Sequence, residues 1–167
     1  MALVVNFFEN SFEVYAGDCE MKMGQILSVD DNNKIVVYSG KGEIIGIAGD
    51  NRYCFARATE TKRTGWSNLL GDPISKQDYD DERVTVFYGG GSFATDQFEK
   101  DVLKSNVDCL LYASSNGRLQ STERGRPIAI LTKEAKPFLS GIPGEGPEKY
   151  LTGDNGCMYI QFMLFGK

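Results

Sequence analysis

The sequence predicts an all-β fold, a compact barrel or sandwich built from two similar three-stranded meanders with at most one or two short helices. Three observations predict it. Short runs rich in Val, Ile, Phe and Tyr alternate with turn-forming residues along the chain. Helical periodicity is nearly absent. One pattern of three strands and two turns occurs twice.

The candidate strands are bounded by turns rich in Asn, Asp and Gly, which supply the positive φ angles of tight hairpins. In chain order they cover residues 3–8, 12–16, 25–29, 34–38, 44–48, 84–88, 93–98, 109–114, 118–121, 127–132 and 157–164. The triple glycine at 89–91 is interpreted as the turn of a hairpin. The last strand is apolar on both faces, which predicts a central position or cover by another chain.

Two short segments are the best helix candidates. In residues 94–104, Phe98 and Val102 share a helical face, and a second piece is expected near residues 66–70. Neither segment is long enough to organise a domain.

An internal repeat is the most informative pattern. Residues 25–35 align without gaps with residues 109–119, at a constant offset of 84 positions, and residues 42–48 align with residues 125–131 at an offset of 83. A single three-stranded meander is marginal in water, so the two copies are expected to pack on each other or to close into a barrel. The alternative is that any two meanders with Asn and Gly turns resemble each other in this way.

The chain divides into an N-terminal arm or first strands, residues 1–23, and a single β domain, residues 24–167. Within the domain, residues 50–83 form an excursion far longer than the usual connection of about 4–6 residues. It is either a flap over the sheet or a partner-binding arm. Aromatic anchors rimmed by charge are typical of interfaces, and they predict the following partner contacts: Phe7, Phe8, Phe12, Arg52, Arg57, Trp66, Leu69 and Leu70.

Composition excludes several classes of function. The 167 residues contain no histidine, the commonest general base and transition-metal ligand. A net charge of -5 argues against a nucleic-acid partner. The cysteines, at positions 19, 54, 109 and 157, fit neither redox nor zinc spacing and are interpreted as small core hydrophobes. We therefore predict no enzyme activity and no catalytic, cofactor-binding or metal-binding residue.

Neither a membrane partner nor secretion is expected. No apolar run reaches the roughly 18 residues of a spanning helix, and the first residues lack the basic region of a signal peptide. Two acidic segments resemble functional sites. Residues 30–33 could offer oxygen ligands to calcium but are better explained as a hairpin turn. The carboxylate run at residues 78–82 is better explained as a solvated loop. A hydrolase that uses carboxylates is the enzymatic alternative, with these candidates: Asp78, Asp80, Asp81 and Glu82.

A resemblance to a known family rests on four short sequence segments of the repeat. The segments are Gly-Gln-Ile-Leu-Ser-Val at 24–29, Ile-Gly-Ile-Ala-Gly at 45–49, Leu-Tyr-Ala-Ser-Ser-Asn-Gly-Arg-Leu at 111–119 and Pro-Ile-Ala-Ile at 127–130. In these segments the chain resembles the small head decoration, or cement, proteins of tailed bacteriophages. The likeness covers residues 24–132, and the excursion at 50–83 departs from it.

The resemblance implies a non-enzymatic virion protein. It implies a β-barrel made in the host cytoplasm that binds the outside of the capsid, commonly as a homotrimer, and locks neighbouring major capsid subunits, without cofactors. Phage tail and baseplate components have the same sequence pattern of strand, Asn-Gly turn, strand and Gly-Ile, so a tail or baseplate role is the first alternative. The second is a carbohydrate-binding β-module in which exposed aromatics stack on sugars; Tyr38, Tyr88 and Tyr112 are the candidates.

Overall fold

A computed structural model describes residues 3–15, 20–49, 83–137, 139–140, 149–150 and 158–166. The described strands are β1 (Leu3–Tyr15), β2 (Ile26–Val29), β3 (Ile35–Val37), β4 (Ile44–Ala48), β5 (Arg83–Thr95), β6 (Leu110–Ala113), β7 (Leu119–Gln120), β8 (Ala129–Pro137), β9 (Leu139–Ser140), β10 (Lys149–Tyr150) and β11 (Met158–Leu164). A short 3-10 helix covers Lys100–Lys104. The all-β prediction is confirmed.

Nine strands form one curled, antiparallel sheet with the shape of a half-barrel. The order is β3-β2-β4-β5-β11-β8-β6-β7, and β1 pairs with β5. The short strands β9 and β10, which the sequence did not predict, pair with each other. Edge strands β3 and β7 belong to different copies of the repeat, so each copy extends outward from the centre of the sheet.

The centre of the sheet is β5, which has three neighbours. β1 pairs with it over its whole length, from Tyr15↔Arg83 to Leu3↔Thr95. A strand has only two hydrogen-bonding edges, so β4 and β11 share the other one. β4 takes the first half of β5, and β11 takes the second half, from Gly91 onward.

The triple glycine lies inside β5 and is not a hairpin turn, so the predicted hairpin is wrong. Two residues, Gly89 and Gly90, stand opposite the single β1 residue between Phe8 and Asn10, which is a β-bulge. Gly89 has a φ of 79°, a left-handed value that glycine adopts without strain. The glycines therefore bend one long strand, and β1 is likewise one strand where the sequence suggested two.

The repeat is confirmed at the level of strand register. In each copy the first strand lies between the other two, and the paired residues correspond under the sequence alignment. The equivalent pairs are Ser28↔Val36 and Tyr112↔Gln120, Val29↔Ile35 and Ala113↔Leu119, Ile26↔Ile47 and Leu110↔Ile130, Leu27↔Gly46 and Leu111↔Ala129. Copy one (residues 25–48) and copy two (residues 109–131) thus share one three-stranded unit, but its strands do not follow the sequential order of the predicted meander, because the first strand stands between the second and the third.

The hairpin turns of the copies are held by equivalent side-chain bonds. The Lys34 N–H donates to Asp30 Oδ1 at 2.8 Å, and the Arg118 N–H donates to Ser114 Oγ at 3.3 Å. The bond from the Lys34 backbone lowers the pKa of the Asp30 carboxyl below its ordinary value. Residues 30–33 therefore form the predicted hairpin turn.

Copy two approaches copy one closely at Gly117. The Ile26 N–H of β2 donates to the Gly117 carbonyl at 2.7 Å. Gly117 has a φ of 72°, as its equivalent Asn33 has a φ of 59°. A Cβ at Gly117 would overlap Val37 Cγ1 and lie 3.2 Å from the Ile26 carbonyl oxygen. Glycine is needed there for close approach as well as for backbone conformation.

Two buried clusters lie on opposite faces of the β2-β4 pair. The larger one fills the concave side and takes residues from both copies; its largest members include Phe93, Phe98 and Phe162. The smaller one includes Leu27, Ala48, Val84 and Val86. Copy one is therefore buried on both faces, which explains its nearly unbroken apolar runs.

The predicted helix over residues 94–104 is mostly wrong. Its first two residues end β5, and Phe98 forms a parallel bridge with Leu119. Only Lys100–Lys104 coils, as a 3-10 helix with Val102 buried. The apolar spacing there reflects docking on β7 rather than a helical face. The helix expected near residues 66–70 lies outside the described residues.

Asp101 of the 3-10 helix fixes the end of β7. Its Oδ2 accepts the Ser121 N–H at 3.0 Å, the Thr122 N–H at 2.8 Å and the Thr122 hydroxyl at 2.9 Å. Desolvation by burial raises the pKa of this carboxyl, but the hydrogen bonds from Thr122 and Ser121 together outweigh it and leave the pKa below its ordinary value. The charged form thus stabilises the folded state.

Changing Gly117→Asn should lower the free energy of unfolding by about 2 kcal/mol or more, because the new Cβ overlaps Val37. Asparagine tolerates positive φ, so backbone strain contributes little. The matched control is Asn33→Gly in copy one, at the equivalent turn position, which should change stability by about 0.5 kcal/mol at most. Urea unfolding measures the stability of both variants. If the two substitutions change the free energy of unfolding equally, the close approach of Gly117 to Val37 is contradicted.

Changing Asp101→Asn should cost about 1–2 kcal/mol at neutral pH, because charge-assisted bonds to three donors are weakened. The folded-state pKa is lowered, so this stabilisation is present above the unfolded pKa, about 4, and is lost as the pH falls through the folded pKa. Urea unfolding from pH 7 to pH 2 should show the two proteins converge. Asp31→Asn, at an exposed turn position, is the control. If the difference in free energy of unfolding between the wild type and Asp101→Asn stays constant at all pH values, the stabilising role of the charged Asp101 carboxylate is contradicted.

Candidate functional site

An open cleft lies where β4 and β11 separate along β5. The β4 ladder on β5 ends at Phe87, and the β11 ladder begins at Gly91. Tyr88, Gly89 and Gly90 separate the two ladders, because the start of β4 and the end of β11 approach the same edge from opposite directions. The resulting cavity has a volume of about 410 Å³, within the usual range of roughly 300–1,000 Å³ for small-molecule sites.

The two walls of the cleft are equivalent loops of the repeat. Residues 42–46 of copy one line one side, and residues 124–128 of copy two line the other. Under the alignment Gly42 corresponds to Gly125, and both have positive φ, 86° and 71°. The cleft is therefore a seam between duplicated halves.

The lining combines aromatic, charged and apolar groups. Tyr38 and Tyr88 are half-buried, whereas Glu43, Arg124 and Arg126 are exposed. Apolar side chains complete the lining: Ile44, Ile45, Pro127, Ile128, Leu164 and Phe165. This set suits recognition of a ligand with an apolar face and a negative charge.

Of the predicted partner residues, Phe12 borders this cleft. Its ring meets the Tyr88 ring edge-on, with centroids 5.1 Å apart and planes at 63°, and its side chain is 36% exposed. Phe7 and Phe8 belong to β1, where they pair with Ser92 and Gly91. The remaining predicted contacts lie outside the described residues: Arg52, Arg57, Trp66, Leu69 and Leu70.

A second surface, the apolar row, crosses three strands on the convex face. Leu110 of β6 and Met163 of β11 both pair with Ile130 of β8, and directly paired residues point to the same face of a sheet. Leu110 and Met163 are 42% and 41% exposed. Their neighbours one position along, Leu111 and Leu164, belong to the concave core. The row therefore stands on a well-packed support.

The row exists because the two copies turn equivalent positions to opposite faces of the sheet. Leu110 corresponds to Ile26 in the repeat, yet Ile26 is fully buried and Leu110 is exposed. Ile26 belongs to the larger, concave cluster, whereas in copy two Leu111, the equivalent of Leu27, joins that cluster. Leu110 consequently lies on the convex face. Two equivalent apolar positions thus have opposite environments.

Sequence reasoning missed the apolar row as a site. The only signal was the last strand, apolar on both faces, for which cover by another chain was one interpretation. Two smaller expectations also need correction. Tyr112 is only 8% exposed and does not line the cleft with the other two tyrosines, and Cys109 is half-buried rather than buried. The other cysteines lie outside the described residues.

A buried polar group lies at the end of β5. Asp96 is 1% exposed and accepts a bond from Gln97 Nε2 at 3.0 Å. Burial, and then the charge of Asp96, raises the pKa of Tyr159 to about 12. This phenol keeps its proton at neutral pH.

No protein-family model matches the chain, and no curated protein matches it. Within the described ranges, no group of three or more side chains is suited to hold a metal ion. No helix in the same part of the chain has both the length and the hydropathy to cross a membrane. The acidic run at 78–82 falls outside that part.

Proposed function

We propose that this chain is a non-enzymatic structural protein of a tailed-phage virion. In this proposal it binds the outer surface of the capsid as a homotrimer and stabilises contacts between major capsid subunits. The apolar row is the observation that carries the proposal, because it offers an exposed contact surface on a rigid sheet. The all-β fold with a repeated three-stranded unit agrees with the resemblance to decoration proteins.

The apolar row has the chemistry of an interface core. Large apolar side chains that lie together across neighbouring strands expose a contiguous patch, and such patches mark interaction sites. Complete burial of a side chain such as Leu110 or Met163 contributes about 1.5–3 kcal/mol. Both are partly exposed in the free protein, so part of this gain is available on binding.

The support beneath the row reduces the cost of binding. β6, β8 and β11 are joined by backbone ladders, and their opposite faces pack into the concave core. A contact surface held in place before binding loses little conformational entropy on association. In a trimer, three such surfaces around one axis act together, so a modest contact yields tight attachment.

Changing Met163→Glu or Leu110→Glu should lower occupancy on capsids of the encoding phage by about tenfold or more, because a charge placed in a desolvated apolar contact opposes binding. Ser39→Glu adds the same charge at an exposed position in the β3–β4 loop and should leave occupancy unchanged. Co-sedimentation of purified protein with capsids measures this. Unchanged occupancy of both row variants, with their folding verified, would remove the apolar row from the interface.

The mass of the purified chain in solution distinguishes the head from the tail. Light scattering after size-exclusion chromatography should give three times the chain mass. A hexamer or a long tube would instead favour a tail or baseplate component, and a strict monomer that does not bind capsids would contradict the proposal.

A further inference from the structure

We propose that the cleft between the duplicated loops binds an acidic carbohydrate, a sugar unit that carries a carboxylate. The inference is independent of capsid attachment, which rests on the apolar row. It assigns a ligand class to a site formed by the seam of the repeat, where residues 42–46 and 124–128 face each other.

Charge at the cleft selects a negative ligand. Arg124 and Arg126 lie two positions apart on one wall of a chain whose net charge is -5. A guanidinium presents paired N–H donors that match the two oxygens of a carboxylate. Arg126 corresponds to Glu43 on the opposite wall, so the duplicated loops have diverged to opposite charge at this position.

Aromatic side chains supply the face on which a sugar ring stacks. Tyr38 and Tyr88 line the cleft and are half-buried, which leaves part of each side chain open to a ligand. The edge contact with Phe12 restrains the Tyr88 ring before binding. Each phenol also carries a hydroxyl that hydrogen-bonds to a polar ligand.

A glycine in the lining leaves open space for a ligand. Gly125 is exposed and lies in the copy-two wall of the cleft. A Cβ at Gly125 would meet no atom within 4 Å, so the space beside it is open to a ligand. Exposed backbone N–H and C=O groups bind hydroxyls without the entropy cost of ordering a side chain. The cavity of about 410 Å³ suits one or two sugar units.

The test is binding of the full chain to an array of uronic-acid- and sialic-acid-terminated oligosaccharides, each beside its neutral counterpart. Acidic glycans should bind and their neutral counterparts should bind at least about tenfold more weakly. If no acidic glycan binds, or if neutral and acidic glycans bind equally, the proposal is overturned.

Variants locate the binding in the cleft. Arg124→Gln and Arg126→Gln should each weaken the affinity for the strongest-binding acidic glycan by about tenfold or more. Tyr88→Ala should weaken the affinity for that acidic glycan and also for its neutral counterpart. Lys133→Gln removes an exposed positive charge from β8, outside the cleft lining, and should leave affinity unchanged. Calorimetry measures each affinity, and unfolding curves show that each variant is folded. If the double arginine variant retains full affinity, the ligand binds elsewhere.

Discussion

β5 has two hydrogen-bonding edges and three neighbours, and the rest of the sheet depends on how this is resolved. β1 occupies one edge completely, so β4 and β11 divide the other between them. Their approach from opposite directions leaves a short stretch of β5 between the ladders. The glycines there bend the strand, each copy of the repeat departs on its own side, and the cleft opens between them.

The repeat supplies two equivalent three-stranded units, and their burial differs because equivalent positions face opposite sides of the sheet. The turn of copy two reaches Ile26, where Gly117 leaves no space for a side chain. Leu110, the equivalent position in copy two, stays exposed and joins Ile130 and Met163 across the sheet. Copy one is buried on both faces by the two clusters, whereas copy two buries the face of Leu111 and keeps Leu110 outward.

Local sequence predicted the local structure well. The strand at 44–48 and the Asn33 and Gly117 turns follow from β-branched runs and turn chemistry, and the constant offset predicted the duplicated register. The continuity of β5 through three glycines could not be predicted, because glycines mark turns and bulges alike and only pairing with β1 distinguishes them. The cleft and the apolar row depend on strand order and register, which join residues distant in the sequence.

The two surfaces follow from different consequences of the same duplication. The equivalent loops at the cleft differ in charge, since Glu43 of copy one corresponds to Arg126 of copy two. The equivalent sheet positions differ in the face that they occupy, since Ile26 lies in the concave core and Leu110 on the convex face. Neither difference disturbs the concave core, since the divergent side chains lie on loops or on the convex face. The repeat thus presents two distinct surfaces, the cleft and the apolar row, on a sheet that is stabilised by core packing and by fixed hydrogen bonds such as those to Asp101.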